Sequence, residues 1–299
     1  MKRTLLVVAL LAACKPDFGE RDSHIGSLRI LAVRGEPAEA PPGTATTYTV
    51  LAATPAGPIT TPVASWAFCA TPKLLTENGA TSPACLGPAG VRPIAEGPTA
   101  TATMPVDACS LFGPNVSSAD LRPRDPDITG GFYQPVRVTV ASGGTEAVGF
   151  GFERIGCALA NASSLVVADY ADRYVRNANP ELAGVGATLG GAPVALDAIP
   201  AGATITLTAS WAPETAERYV VYDLASQSLV DHRESLRVSW FATDGTFEND
   251  RTGRDESEPE AFTENRWTAP AEAKDTSLFV VLRDARGGAA FATYLLRTR

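Results

Sequence analysis

The chain has 299 residues, 45% of them apolar and 19% charged, and 25 Lys and Arg against 33 Asp and Glu give a net charge of −8. That length allows one large domain or two of medium size, with enough chain to bury a real core. The acidic balance excludes the basic footprint of a nucleic-acid binder. The few lysines (Lys2, Lys15, Lys73, Lys274) are too scattered in sequence to make a patch for anionic lipid. The 23 Pro and 26 Gly lie between short β-like runs, the pattern of an all-β protein with many turns.

The first element is a targeting signal. Lys2 and Arg3 precede the apolar run LLVVALLAA, which is too short to span a bilayer as a helix. Leu11-Ala12-Ala13-Cys14 resembles the bacterial lipobox. The resemblance implies a diacylglyceryl group on the Cys14 thiol, cleavage before Cys14 and acylation of the new amine. Two or three acyl chains, palmitate among them, anchor stably where one does not. Lys15 after the cysteine implies, by resemblance to lipoprotein sorting, the outer membrane of a bacterium. Residues 15–27 (KPDFGERDSHIGS) are polar and carry Pro and Gly, so they are expected to form a flexible tether.

With Cys14 lipidated, Cys69, Cys85, Cys109 and Cys157 remain, an even number in an oxidising compartment. Three connectivities are open. The favoured one is Cys69–Cys85, closing a short loop, with Cys109–Cys157, tying a long loop to a late strand. No C-x-x-C occurs, so zinc and thioredoxin-type sites lack support.

The remainder reads as a duplication. PGTATTYTVLA (residues 42–52), VASWAF (63–68) and QPVRVTVASGGTEAVGFGF (134–152) are followed, in the same order, by AGATITLTASW (201–211), LRVSWFA (236–242) and SLFVVLRDARGGAAFATYLL (277–296). Period-2 alternation places Val136, Val138 and Val140 on one face of a strand. It does the same for Ile205, Leu207, Ala209 and Trp211, and for Leu236, Val238 and Trp240, with Arg237 and Ser239 outward. One wet face per strand is the mark of antiparallel sheets in a sandwich. The glycines of Ser142-Gly143-Gly144-Thr145 and Ala285-Arg286-Gly287-Gly288 suit hairpin turns.

On these motifs the chain resembles tandem bacterial immunoglobulin-like, fibronectin-III-like or PKD-like domains. Trp66 and Trp240 match the core tryptophan of the family's third strand. The segment from Trp267 to Gly288 resembles the closing strands of such modules. The usual inter-sheet disulfide is missing, so the cysteines are expected to staple loops. The expected architecture is two Ig-like antiparallel β-sandwiches: residues 28–160, with a Pro/Gly-rich insertion over about 71–131, and residues 180–299. A linker, 161–179, is read as a short helix or a polar strand between them.

Little chemistry is visible. His24 lies in the expected tether and His232 beside Asp231 in a polar loop, and no G-x-S-x-G, H-E-x-x-H or phosphate-binding glycine motif accompanies them. The run from Asp244 to Asn265 is rich in carboxylates. Asp244, Glu248, Asp250 and Asp255 are calcium candidates by ligand type, although the run does not fit an EF-hand and includes Arg251 and Arg254. The sequons at Asn115 and Asn161 carry no weight in a bacterial lipoprotein. No cofactor is expected beyond the lipid on Cys14. The expected role is a non-enzymatic, lipid-anchored envelope module that binds a protein or polysaccharide or acts as a spacer. The alternatives are an envelope hydrolase (glycosidase or peptidase) using carboxylates such as Asp244 or Asp255, and a substrate-binding import lipoprotein, which lacks the helical periodicity for two α/β lobes.

Overall fold

A computed structural model describes residues 21–115, 121–123 and 125–299. Cys14 and most of the signal and tether lie outside the described residues. The chain is all-β and folds as two sandwiches.

The first sandwich contains β1 (Arg29–Glu36), β2 (Glu39–Ala40), β3 (Ala45–Thr54), β4 (Gly57–Pro58), β5 (Val63–Cys69), β6 (Val91–Glu96), β7 (Thr99–Thr103), β8 (Tyr133–Ser142) and β9 (Thr145–Ile155). One sheet pairs β3 with β1, β4 and β7, and the other runs β2-β9-β8-β5-β6. All pairings are antiparallel except β2 with β9. The central strands alternate as the sequence requires. Val136, Val138 and Val140 are buried beneath Tyr48, Trp66 and Phe68. Gly143 and Gly144 have φ of 58° and 78°, which lets two residues join β8 to β9. Gly149 and Gly151 serve a different end. A Cβ on Gly151 would lie 2.6 Å from Val33, so the bare backbone lets β1 close against β9. The GFGF segment is therefore a packing device.

The second sandwich contains β10 (Leu182–Leu189), β11 (Ala192–Pro193), β12 (Thr204–Trp211), β13 (Arg218–Asp223), β14 (Ser228–Arg233), β15 (Leu236–Ala242), β16 (Thr246–Phe247), β17 (Arg251–Arg254), β18 (Phe262–Thr268), β19 (Asp275–Asp284) and β20 (Ala289–Arg297). Its sheets run β11-β10-β12-β18-β16 and β17-β15-β19-β20, and β13–β14 forms a separate hairpin. Strands β1, β3, β5, β6, β7, β8 and β9 thus have β10, β12, β15, β17, β18, β19 and β20 as their counterparts. This is the immunoglobulin-like order built twice. The expected inward residues of β12 and β15 are buried, and Trp240 and Trp267 are fully enclosed.

Four expectations about segments change. Residues 71–131 are not one insertion, because β6 and β7 lie inside the span and complete the sandwich. The alternation of VRPIAE is broken by Pro93, tolerated because β6 is an edge strand. The acidic stretch after Asp244 likewise contains β16 and β17. Residues 21–27 are docked rather than loose: Ile25 is fully buried and its N–H donates to the Ala242 carbonyl (2.9 Å). The second Gly-Gly hairpin has a four-residue loop, Ala285 to Gly288, in which Gly287 alone takes positive φ.

The sandwiches also share a core. Leu31, Ala32, Leu51 and Ala53 of the first pack with Ile25 against Phe279 and Val281 of the second. A β-bulge at Leu31 adds a residue to β1 at this contact. β19 is consequently buried on both faces, which is why Leu278 to Leu282 reads as a continuous apolar run. Ser239, expected outward, is outward but buried at 7% exposure, and Arg283 donates to its hydroxyl (3.3 Å).

Candidate binding cleft at the junction of the two sandwiches

Beside the shared apolar core, buried polar side chains lock the junction. Arg154, at the end of β9, donates through Nη1 to the Thr129 hydroxyl (2.7 Å) and through Nη2 to the Thr129 carbonyl (3.0 Å). Its Nε donates to the Tyr174 hydroxyl (3.1 Å) and lies 3.5 Å from Glu39. Glu39 also accepts from the Tyr174 hydroxyl (2.6 Å) and the Asn177 N–H (3.0 Å). Asn177 and Asn179 cross between the sandwiches. Asn177 donates to Asp284 (3.4 Å), while Asn179 donates to the Gly35 carbonyl (2.7 Å) and accepts from the Ala289 N–H (2.9 Å). The linker is thus a polar clamp. Its helix α2 (Ser164–Arg173) starts at Ser163, whose hydroxyl accepts from Val166 N–H.

Arg286, at the tip of the β19–β20 hairpin, is fully buried. It donates to Glu234 (2.6 Å), Glu217 (2.7 Å) and the Val175 carbonyl (2.6 Å), and its guanidinium stacks over the Tyr219 ring at 4.4 Å. Burial and the neighbouring Asp284 push the Glu234 carboxyl up, and Arg286 pulls it down. An Arg fork that satisfies both acids and a carbonyl is what makes such burial tolerable. This cluster holds the β13–β14 hairpin against the linker.

These elements enclose a cleft of about 730 Å³. Its walls come from the 125–132 segment, the strand end at Arg154 to Asn161, α2 and the β13–β14 hairpin. Asp127 shapes the first wall by accepting from the N–H groups of Thr129 and Gly131 (2.9 Å each). A disulfide between Cys109 and Cys157, with Cα atoms 5.8 Å apart, ties α1 (Ala108–Leu111) to the second. Pro41, Pro126, Phe132, Tyr170, Tyr222 and Leu224 supply apolar surface, while Asn115, Asp125 and Arg176 add polar groups. Tyr170 and Tyr174 stack with centroids 4.6 Å apart, and burial raises both phenol pKa values, so both remain neutral donors. A concave site of mixed aromatic, proline and sparse polar lining has the make-up of a ligand pocket.

The residues singled out from the sequence are scattered relative to this cleft. Cys69, the last residue of β5, and Cys85 are joined with Cα atoms 5.3 Å apart, and neither lines the cleft. Trp66 and Trp240 are core residues whose indole N–H groups donate to the Gly97 carbonyl (3.0 Å) and the Thr252 hydroxyl (2.9 Å). The acidic candidates face separate cations and not a common centre. Asp244 pairs with Lys274, Glu248 with Arg266 (3.8 Å) and Asp250 with Arg21 (3.5 Å). The Lys274 ammonium holds the Asp244 carboxyl below its usual range. Asp255 joins none of them, and no group of three or more metal-ligating side chains occurs among the described residues. His232 lies on β14, with Nδ1 3.1 Å from Glu256, and His24 bridges to Ala242. Sequence reasoning passed over Arg154, Glu39, Asn177, Asn179, Arg286 and Glu234. The available signal was a charge set directly after an apolar strand, as in GFGFER and VVLRDARGG.

No family model matches the chain, and no curated protein matches it. Solved structures do. The chain is similar to the fibronectin(III)-like modules of CbhA from Clostridium thermocellum, at 13% identity over 91% of this chain and 94% of that one, with a TM-score of 0.22. It is also similar to the tandem Ig repeats of Dlar, at 11% identity over 92% and 98%, with a TM-score of 0.24. The adhesin InvE of Yersinia pseudotuberculosis matches at 10% identity over 93% and 61%, with a TM-score of 0.21. TM-scores this low carry no argument. The immunoglobulin-like architecture rests on the strand pairing itself.

Proposed function

We propose that this is a lipid-anchored protein of a bacterial cell envelope, at the outer membrane, in which two fused sandwiches act as a non-enzymatic binding or spacer module. Its partner is an envelope protein or polysaccharide received in the junction cleft. One observation carries this reading: besides the strand end at Arg154 to Asn161, the cleft is walled by the 125–132 segment, α2 and the β13–β14 hairpin, none of which belongs to the sheets of either sandwich. Elements added to a rigid scaffold are where binding residues concentrate. The lipobox at Leu11 to Cys14 supports the anchor.

The test places a photo-crosslinking residue at Tyr170 in intact cells, with exposed Val63 at the opposite end of β8 and β5 as control. A discrete adduct from position 170 and none from 63 is expected. No adduct, or the same adducts from both, removes the cleft as the binding site. Palmitate labelling of the Cys14→Ser chain tests the anchor: incorporation should vanish, and its survival overturns lipidation at Cys14. The hydrolase candidate Asp244 does not suit that role: a general acid needs a raised pKa, and Lys274 pulls Asp244 the other way.

A further inference from the structure

A second cleft of about 640 Å³ lies on the other side of the 127–131 turn and shares no lining residue with the first. Four arginines line it: Arg29 from β1, Arg237 from β15, Arg251 from β17 and Arg283 from β19. Three stand on the outward face of adjacent strands. Arg237 is directly opposite Arg283, and Arg251 directly opposite Ser239, next along the same face of β15. Like charges placed opposite one another across strands destabilise a sheet. Gly253, also opposite Arg237, leaves it room, since a Cβ there would come within 3.1 Å of the Arg237 Cα.

Such an arrangement is ordinarily relieved by carboxylates, and here it is not. Among the described residues Arg237 and Arg251 have no ion-pair or hydrogen-bond partner, unlike most arginines of this chain. Arg283 reaches the Ser239 hydroxyl and the Leu31 carbonyl (2.7 Å), and Arg29 reaches the carbonyls of Asp22 (2.6 Å) and His24 (3.1 Å). Burial, and then the charge of Arg251, lower the Arg283 pKa, the signature of a cation short of counter-charge. Three acids line the same cleft. Asp250 is paired with Arg21. Asp284 is buried and accepts from the N–H groups of Arg286 (2.9 Å) and Gly288 (2.8 Å). Asp22 is the remaining one. A local rule broken without compensation inside a concavity marks a site whose missing partner is a ligand. Guanidinium forks match tetrahedral oxyanions.

We infer that the cleft formed by Arg29, Arg237, Arg251 and Arg283 binds a phosphate or sulfate group of a small or end-group ligand. The inference does not rest on the first cleft. The chain's net charge of −8 works against binding of extended polyanions, so a compact anion is the ligand expected here.

The experiment titrates the folded protein with inorganic phosphate and with sulfate, against sodium chloride at matched ionic strength, and follows amide and arginine side-chain NMR signals together with Tm. Saturable shifts centred on the four arginines, with a rise in Tm beyond that in chloride, are expected. The Arg237→Ala/Arg251→Ala double substitution removes two exposed side chains without structural bonds, so it should fold and weaken binding by roughly tenfold or more per arginine. Glucose 6-phosphate and phosphatidylglycerol vesicles then separate a soluble phosphorylated ligand from a lipid headgroup, and binding of either supports the site. Absence of saturation, or equal binding by the double variant, overturns it.

Discussion

The two sandwiches share one strand order and are stabilised differently. The first has a lean core around Trp66, Tyr48 and Phe68, diluted by Ala52, Ala64 and Ala100, and its β9 carries bare glycines against β1. It also carries both disulfides, each tying down a loop between strands. The second has no cysteine, yet its core cluster is larger and includes Trp211, Trp240 and Trp267 with Leu207, Leu278 and Leu282. A thin core compensated by covalent loop closure and a thick core without it are two solutions for one topology. Each also leans on the other through Phe279, Val281 and the Asn177–Asn179 clamp.

The strongest way to break this comparison is at Arg286. Arg286→Ala leaves Glu234 buried without its cation and should cost about 3–5 kcal/mol, lowering the urea midpoint of the second sandwich and loosening the β13–β14 hairpin. An unchanged midpoint would show that the cluster is dispensable. Cysteine-to-serine pairs come next. Losing Cys109–Cys157 or Cys69–Cys85 should cost about 2–4 kcal/mol each, with early hydrogen exchange confined to the first sandwich. Equal loss of protection in β15 and β19 would mean the two halves unfold as one unit. The smallest effect is pH-dependent. Burial, with Glu36 and Glu39 adding, pushes the Glu153 carboxyl from an ordinary 4.5 up to about 8. The folded state then holds a proton that the unfolded chain releases, so the stability Glu153 contributes is full below about pH 4.5 and lost as pH rises through about 8. Glu153→Gln should flatten that decline by about 1–3 kcal/mol, read from urea midpoints between about pH 5 and pH 9. A parallel decline in the variant would assign the titration elsewhere.

Much of the fold was legible because alternation is a local property. Val136 to Val140, Ile205 to Trp211 and Leu236 to Trp240 declare an inner face in the sequence, and the repeated order of these segments implied two sandwiches. Strands lacking that signal were missed. β6 is interrupted by Pro93, and β16 and β17 are hidden in a charged stretch. The tether reading failed at residues 21–27 because Ile25 is the one apolar anchor in a polar run, and its place is made by β15 together with the core shared by the two sandwiches. The acidic run offered calcium ligands by composition, but the fold hands Asp244, Glu248 and Asp250 to three different cations.

The charge argument divides in the same way. Composition set the net charge at −8 and excluded a basic protein. Arg29, Arg237, Arg251 and Arg283 are far apart in sequence, so no window of sequence shows them as a patch. Strand pairing and the docking of one sandwich on the other place them in one cleft. The sequence by itself determined what nearest neighbours decide: strand faces, the turn at Gly143-Gly144 and the repeated order of strands. Tertiary structure alone decided which faces meet, where Arg154 and Arg286 find their acids, and which arginines are left without any. Those outcomes depend on contacts between residues far apart in the chain, from 52 positions for Arg286 with Glu234 to 252 for Arg283 with Leu31.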